Sequence, residues 1–227
     1  KNSMCRKNVF KVLKAADKII TVSNKLKNVI KENYILNKTT VINNGINPEE
    51  YVINEQVKLK GRHIMLSVSA LIKTKGIDLK AVSELVKTYP DLMYYIIGDG
   101  EENKNLRKLV NDLNLNKNVV FLGRLPHAKV IKYMSSKCDV FSLPSWQEGF
   151  GIVYIEAMNS GIPVIGVRGQ GIEDVIEDKK NGFLVEPCKV EDLIFTIDYI
   201  LSHKDKASVI GENGKNTVLK EFTWLRN

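Results

Sequence analysis

The chain has 227 residues, 44% hydrophobic and 26% charged, which is the make-up of an ordinary globular protein long enough to bury a sizeable core. No apolar run approaches the ~18 residues of a membrane span, and Cys5, Cys138 and Cys188, odd in number and far apart, fit neither a disulfide framework nor a C-x-x-C metal site. The net charge is +8, and residues 1–38, with ten Lys/Arg against two Asp/Glu, hold the whole of that excess.

The first 45 residues read as a helix over 9–16, a short strand over 18–23 and a second helix over 24–33, ahead of Val41-Ile42-Asn43-Asn44-Gly45. Lys7, Lys11, Lys14 and Lys18 fall at helical spacing on one face, with Val9, Phe10, Leu13 and Ala16 turned the other way. Such a face is either plainly solvated or a patch that meets anionic lipid or phosphate. No aromatic or Arg-rich reading surface accompanies it, so nucleic acid is not an expected partner. The stretch is too short to bury a core alone and reads as the tail of a preceding domain. Lys1 through Lys7 lead into no signal-peptide core, so three reduced thiols in a cytoplasmic protein are expected.

After about residue 60, apolar runs alternate with helical patterns. Strands are expected over 63–69, 93–98, 118–122, 139–143, 163–167 and 182–185. Helices are expected over 75–88, 102–113, 126–135, 151–159, 171–176, 190–202 and 206–221. The strand runs are apolar throughout, as strands buried on both faces are. Strand–helix alternation with short connections predicts an α/β fold, a Rossmann-like doubly wound parallel sheet. Ligands of such sheets bind outside the carboxyl ends of the strands.

Several loops follow strands. Gly98-Asp99-Gly100 resembles the start of a dinucleotide fingerprint, but Asn103 stands where the third Gly belongs, and Glu101 and Glu102 bring negative charge to the helix start. A tight turn is the simpler reading, and a nicotinamide or flavin site is not expected. There is no G-x-x-x-x-G-K-[ST] and no D-x-D, and His63, His127 and His203 stand isolated, with no role assigned. The informative stretch runs from Pro144 to Met158. Gly149 and Gly151 allow close backbone approach, a helix from about Gly151 offers free N–H groups to an anion, and Glu148 and Glu156 bracket that position. The two carboxylates suit the vicinal hydroxyls of a ribose or hexose, or they are surface glutamates flanking a helix cap.

The Glu–seven residues–Glu arrangement inside Pro144-Ser145-x-x-Glu148-Gly149-Phe150-Gly151 resembles the nucleotide-sugar domain of glycosyltransferase family 4, retaining enzymes of the GT-B fold. Further segments resemble the same family in order and spacing: Ala16 to Ser23, Val41 to Ile46, Leu71 through Gly76, Tyr95 to Gly100, Val120 to Gly123, Gly169 to Glu173 and Asn181 to Val185. The resemblance implies residues 1–43 as the tail of an acceptor domain, 44–221 as the donor-binding domain and 222–227 as the start of a C-terminal segment.

It also implies roles. Glu156 would bind the nucleotide ribose and Glu148 the transferred sugar. Backbone N–H groups from Gly149, Phe150, Gly151, Ile152 and Val153 would meet sugar and diphosphate. Lys75 would neutralise the leaving diphosphate and, with Glu148, form the catalytic set. Arg124 and Leu125 would meet the base edge, and Gly98 joins the substrate-binding set. The family usually places an Arg five residues before that Lys, where this chain has Ala70; Lys73 and Arg168 are the cations expected to replace it. Gln170, where the family often has Gly, narrows the room for backbone approach.

The implied reaction is transfer of a hexosyl group from a nucleoside diphosphate sugar to an acceptor hydroxyl, with retention, in polysaccharide or lipid-linked glycan synthesis. No metal or other cofactor is expected. The partners are the donor, a glycan or lipid-linked acceptor bound through the other domain, and the anionic inner face of a membrane on which the protein would sit peripherally. Two alternatives stay open: a nucleotide-sugar-binding module without catalysis, for which Ala70 is the motive, and a sugar-nucleotide epimerase of the same fold.

Overall fold

The structure, a computed structural model, describes residues 2–52 and 55–225, and side chains from residue 8 onward. Cys5 and Lys7 therefore lie outside the described side chains, and Arg226 and Asn227 outside the described residues.

The N-terminal segment contains α1 (Asn2–Ala15), β1 (Ile19–Thr21), α2 (Asn24–Asn28), α3 (Asn33–Leu36) and β2 (Thr39–Val41), with β1 and β2 paired in parallel. Lys38 Nζ donates to the carbonyls of Lys14 (2.8 Å) and Ala16 (2.5 Å) and so caps α1 at its negative end. The helix stops before Lys18, which therefore does not share the basic face expected for it. Val9, Phe10 and Val12 on α1 are exposed. Ser23 caps α2, its hydroxyl accepting from Leu26 N at 3.2 Å. The single helix expected over 24–33 breaks because α2 buries none of its residues and Val29 beyond it is exposed, so no packed face extends it.

A linker follows. Ile46 forms a parallel bridge with Thr223, its N–H donating to Phe222 O at 3.0 Å and its carbonyl accepting from Trp224 N at 3.1 Å. A 3₁₀ turn at Pro48–Tyr51 leads on to the larger sheet.

That sheet is built from β3 (His63–Val68), β4 (Leu92–Ile97), β5 (Val119–Gly123), β6 (Val140–Ser142), β7 (Val164–Val167) and β8 (Phe183–Val185). Every pairing among the described residues is parallel, in the spatial order β5-β4-β3-β6-β7-β8. The continuous apolar runs are explained by burial on both faces. On one face, α4 (Leu79–Thr88), α5 (Asn103–Asp112) and α8 (Val190–Ser202) cover Met65, Tyr94, Ile96, Ile165 and Val185. On the other, α6 (His127–Met134), α7 (Ile152–Asn159) and the end of α9 (Lys204–Glu221) cover Ile64, Leu66, Tyr95, Phe141 and Val164. The alternation along β3, with Ile64 and Leu66 to one side and Met65 to the other, is the two-residue period of a strand.

The α/β doubly wound sheet expected from the sequence is thus the fold. Its winding reverses between β3 and β6, and that reversal opens a crevice at the carboxyl ends of those two strands.

Candidate active site

The loops after β3 and β6 meet at this crevice. Thr74 O accepts from Trp146 N and from Ser145 Oγ, each at 3.1 Å. Gly76 has φ +66°, and a Cβ there would lie 2.2 Å from Pro144 O. The helix expected from residue 75 does not start there. A 3₁₀ turn, Lys73–Lys75, ends at this left-handed glycine, and α4 begins at Leu79, capped by Asp78, whose carboxylate accepts from Lys80 N and Ala81 N at 3.0 Å each. Lys75 therefore ends the 3₁₀ turn ahead of α4, and its side chain reaches across the crevice. Its Nζ lies 2.5 Å from Glu148 Oε2, with both side chains largely buried.

Glu148 is held from three sides. Its backbone N–H donates to Gln170 Oε1 at 3.0 Å, and its carbonyl accepts from Gly171 N at 3.3 Å. The carbonyl also accepts from Lys25 Nζ at 3.3 Å, and Lys25 Nζ donates to Gln170 Oε1 as well. Gly171 has no room for a side chain, since a Cβ would lie 1.9 Å from Gly149 O. The helix expected over 171–176 is a 3₁₀ turn, Gly171–Asp174, pressed against this loop. Gln170, expected only to crowd the backbone, is buried and ties the two loops together.

Gly151, at φ +83°, starts α7, and no side chain caps that helix. The N–H groups of its first residues, Ile152 and Val153, therefore have no intrahelical partner. Gly149 and Gly151 line the approach, while the Phe150 side chain is buried against Phe222. Phe150 thus has only its backbone to offer a ligand.

One turn further, Glu156 is buried to 9% exposure. Its Oε1 accepts from Tyr51 Oη and contacts His127 Nε2, each at 2.8 Å, while Oε2 has no hydrogen-bond partner among the described residues. Burial, then Glu156 accepting its proton, push the Tyr51 hydroxyl well above its ordinary pKa, so it stays a donor. Arg124 and Leu125 follow β5 in the short connection to α6, whose first residue is His127.

Other expected residues are placed elsewhere. Arg168, expected to replace the missing Arg, donates to Asp178 Oδ2 at 2.6 Å and lies 3.5 Å from Glu186 Oε1, in a groove along β8 and α8. Lys73 lines a groove of about 460 Å³ that runs from Gly76, Pro144 and Trp146 at the crevice to Leu79 and Cys188. Gly98 is dictated by packing: at φ +131° a Cβ would lie 1.8 Å from Ser69 O. The N–H groups after it are used internally, Gly100 N by Asp99 Oδ1, Glu102 N by Leu71 O and Asn103 N by Gly100 O. Those bonds close the turn on itself, in keeping with the simpler reading of Gly98-Asp99-Gly100. Among the described residues, no three His, Cys, Asp or Glu side chains gather as a metal site.

Tyr51, His127 and Lys25 were not marked by the sequence. Each meets its partner only through the tertiary fold, and no local spacing signals it.

Against known proteins, the family description "Glycosyl transferases group 1" matches residues 49–217. An uncharacterised glycosyltransferase of Methanocaldococcus jannaschii is 35% identical over 225 residues, 99% of this chain and 61% of that protein. A GDP-mannose-dependent alpha-(1-6)-phosphatidylinositol monomannoside mannosyltransferase of Mycolicibacterium smegmatis is 29% identical over 181 residues, 76% of this chain and 47% of that one. The solved sucrose-phosphate synthase of Thermosynechococcus elongatus superposes with a TM-score of 0.82 at 26% identity, over 95% of this chain and 56% of its own. The chain thus spans at most about three-fifths of the length of these proteins.

Proposed function

The chain belongs to the glycosyl transferases group 1 family, and from that premise we propose that it is the donor-binding part of a retaining glycosyltransferase that moves a hexosyl group from a nucleoside diphosphate sugar. The observation that carries this reading is the meeting of Lys75 and Glu148 at the switch point, beside the uncapped start of α7. A diphosphate fits there because backbone N–H groups and an ammonium converge on it. Glu156 presents Oε2 to the ribose hydroxyls while Tyr51 and His127 hold Oε1. Glu148 orients the sugar. As the glycosidic bond breaks, negative charge grows on the departing phosphate oxygen, where Lys75 stabilises it most. The leaving phosphate takes the acceptor's proton on the same face, which retains configuration, and no metal is needed. The GDP-mannose dependence named for the mycobacterial relative supports a nucleotide-sugar donor.

The test is calorimetric titration with UDP, GDP and ADP, repeated with Glu156→Ala. One nucleotide should bind in the micromolar to millimolar range, roughly 4–8 kcal/mol, and the substitution should weaken it at least about tenfold. Binding untouched by Glu156→Ala would remove the assignment. Ala70 favours a second reading, a binding module without catalysis. A protein that binds donor but never transfers sugar to any acceptor would select it.

The acceptor is a glycan or lipid-linked glycan, reached from the side of the N-terminal segment. No described helix is long and apolar enough to cross a membrane. We place the protein on the cytoplasmic face of one, with the lysines and exposed apolar side chains of α1 toward anionic lipid. Sedimentation with phosphatidylserine vesicles should fall as salt rises; absence of binding at low salt would remove this contact.

A further inference from the structure

We propose that Lys25 supplies the second positive charge for the donor's diphosphate, reaching into the site from the N-terminal segment. The proposal rests on the donor-site reading above and gives that site a residue of its own.

The argument begins with a missing charge. Ala70 is exposed on the loop after β3 and carries no cation, Lys73 is exposed and forms no ion pair or hydrogen bond with the Glu148 loop among the described residues, and Arg168 is engaged by Asp178 and Glu186. Lys75 alone would face a group carrying two or more negative charges. Lys25 meets the backbone of the Glu148 loop, whereas Lys75 meets the Glu148 side chain. Lys25 is partly buried, and its Nζ hydrogen bonds go to neutral oxygens, Gln170 Oε1 and the Glu148 carbonyl. An ammonium has three donors, and among the described residues no carboxylate forms an ion pair with this one. Burial holds the Lys25 ammonium below its ordinary pKa, and the Glu148 carboxylate, already paired with Lys75, offsets that only in part. The segment is nevertheless docked to keep it there. Ser23 Oγ donates to Gly149 O at 2.5 Å, and Asn24 N donates to Asp174 Oδ2 at 2.7 Å. One of the two residues that receive Lys25, Glu148, lies three residues before Gly151, the uncapped start of α7. A diphosphate at the N–H groups there would add counter-charge where one carboxylate, Glu148, now serves both Lys25 and Lys75. Lys25 and Lys75 then flank it from the two sides of the crevice, and the cation absent at position 70 is replaced from another segment.

The experiment compares the best-binding nucleoside diphosphate of UDP, GDP and ADP with its monophosphate, by calorimetry on the 227-residue chain. Lys25→Met should weaken the diphosphate about tenfold or more and the monophosphate by less than about threefold. Ser23→Ala, which loosens the same docking but keeps the charge, should move both ligands alike. A Lys25→Met protein that weakens both equally, or neither, would make Lys25 a docking residue only and overturn the proposal. Ala70→Arg in the otherwise native chain reads the same question without touching Lys25. It should improve diphosphate binding by less than about threefold if the second cation is already present, and a tenfold gain would show that it is not. Glu156→Ala separates the two levels. If it leaves nucleotide binding intact, the donor-site reading fails and takes the proposal with it; if it removes binding while Lys25→Met is silent, only the proposal fails.

Discussion

Glu148 and Lys75 stand 2.5 Å apart as an ion pair. In the proposed complex they must part, Lys75 to the diphosphate and Glu148 to a sugar hydroxyl. The ion pair thus keeps both side chains in position and competes with the ligand. Glu148→Gln should therefore tighten nucleoside diphosphate binding by about two- to fivefold, the worth of a modest ion pair, while slowing sugar transfer by about a hundredfold or more. Calorimetry and a transfer assay on the same preparation check this, and weaker diphosphate binding would show that Glu148 contacts the phosphates itself. At this scale the sequence marks residues whose neighbours are close along the chain. Glu148, Gly151 and Glu156 share one loop and helix, so their relation is visible as spacing. Lys25, Tyr51 and His127 meet Gln170 or Glu156 across long stretches of chain, and His127 reads in isolation as a solitary histidine.

At the scale of elements, the decisive boundary is the start of α4. Hydrophobic periodicity alone extends that helix back to residue 75, which would commit Lys75 to a helical face. Gly76 in the left-handed region and Asp78 as cap delay it to Leu79. Asp78→Ala should cost about 1 kcal/mol, seen as a fall of about two to four degrees in Tm. The same substitution should lower nucleotide affinity if the cap also fixes the Lys75 loop; unchanged Tm would mean that packing of Leu79, Val82 and Leu85 sets the boundary without it. The sheet strands were legible to within a residue or two because burial on both faces leaves an unbroken apolar run. The turns that differ are those where close backbone contact decides. At Gly171 a carbonyl of another loop occupies the space of a side chain, and nothing in the local pattern announces it.

On the scale of the whole molecule, two kinds of contact build the site. The N-terminal segment docks through Ser23, Asn24 and Lys25 onto loops of the larger sheet, and Ile46 pins the linker to Thr223 near the end of the chain. The fold class was readable throughout, whereas this docking was not, because exposed lysines and short helices carry no period that names their partner. The strand order has one more effect, which concerns time. β3 pairs with β4 after a single helix, but its other neighbour, β6, arrives only after two further strand–helix units, with Met65 opposite Val140. Closing the longer span costs more entropy, and contacts of high sequence separation form late. The crevice lies on that late seam. It exists only once the two halves of the sheet have joined, so the proposed nucleotide would bind the finished molecule and little before it. Saturating nucleotide should slow unfolding in stopped-flow experiments and leave the refolding rate unchanged. Faster refolding would mean that the seam is already closed at the barrier. The same arrangement that opens the crevice for the proposed donor makes it one of the later parts of the fold to become native.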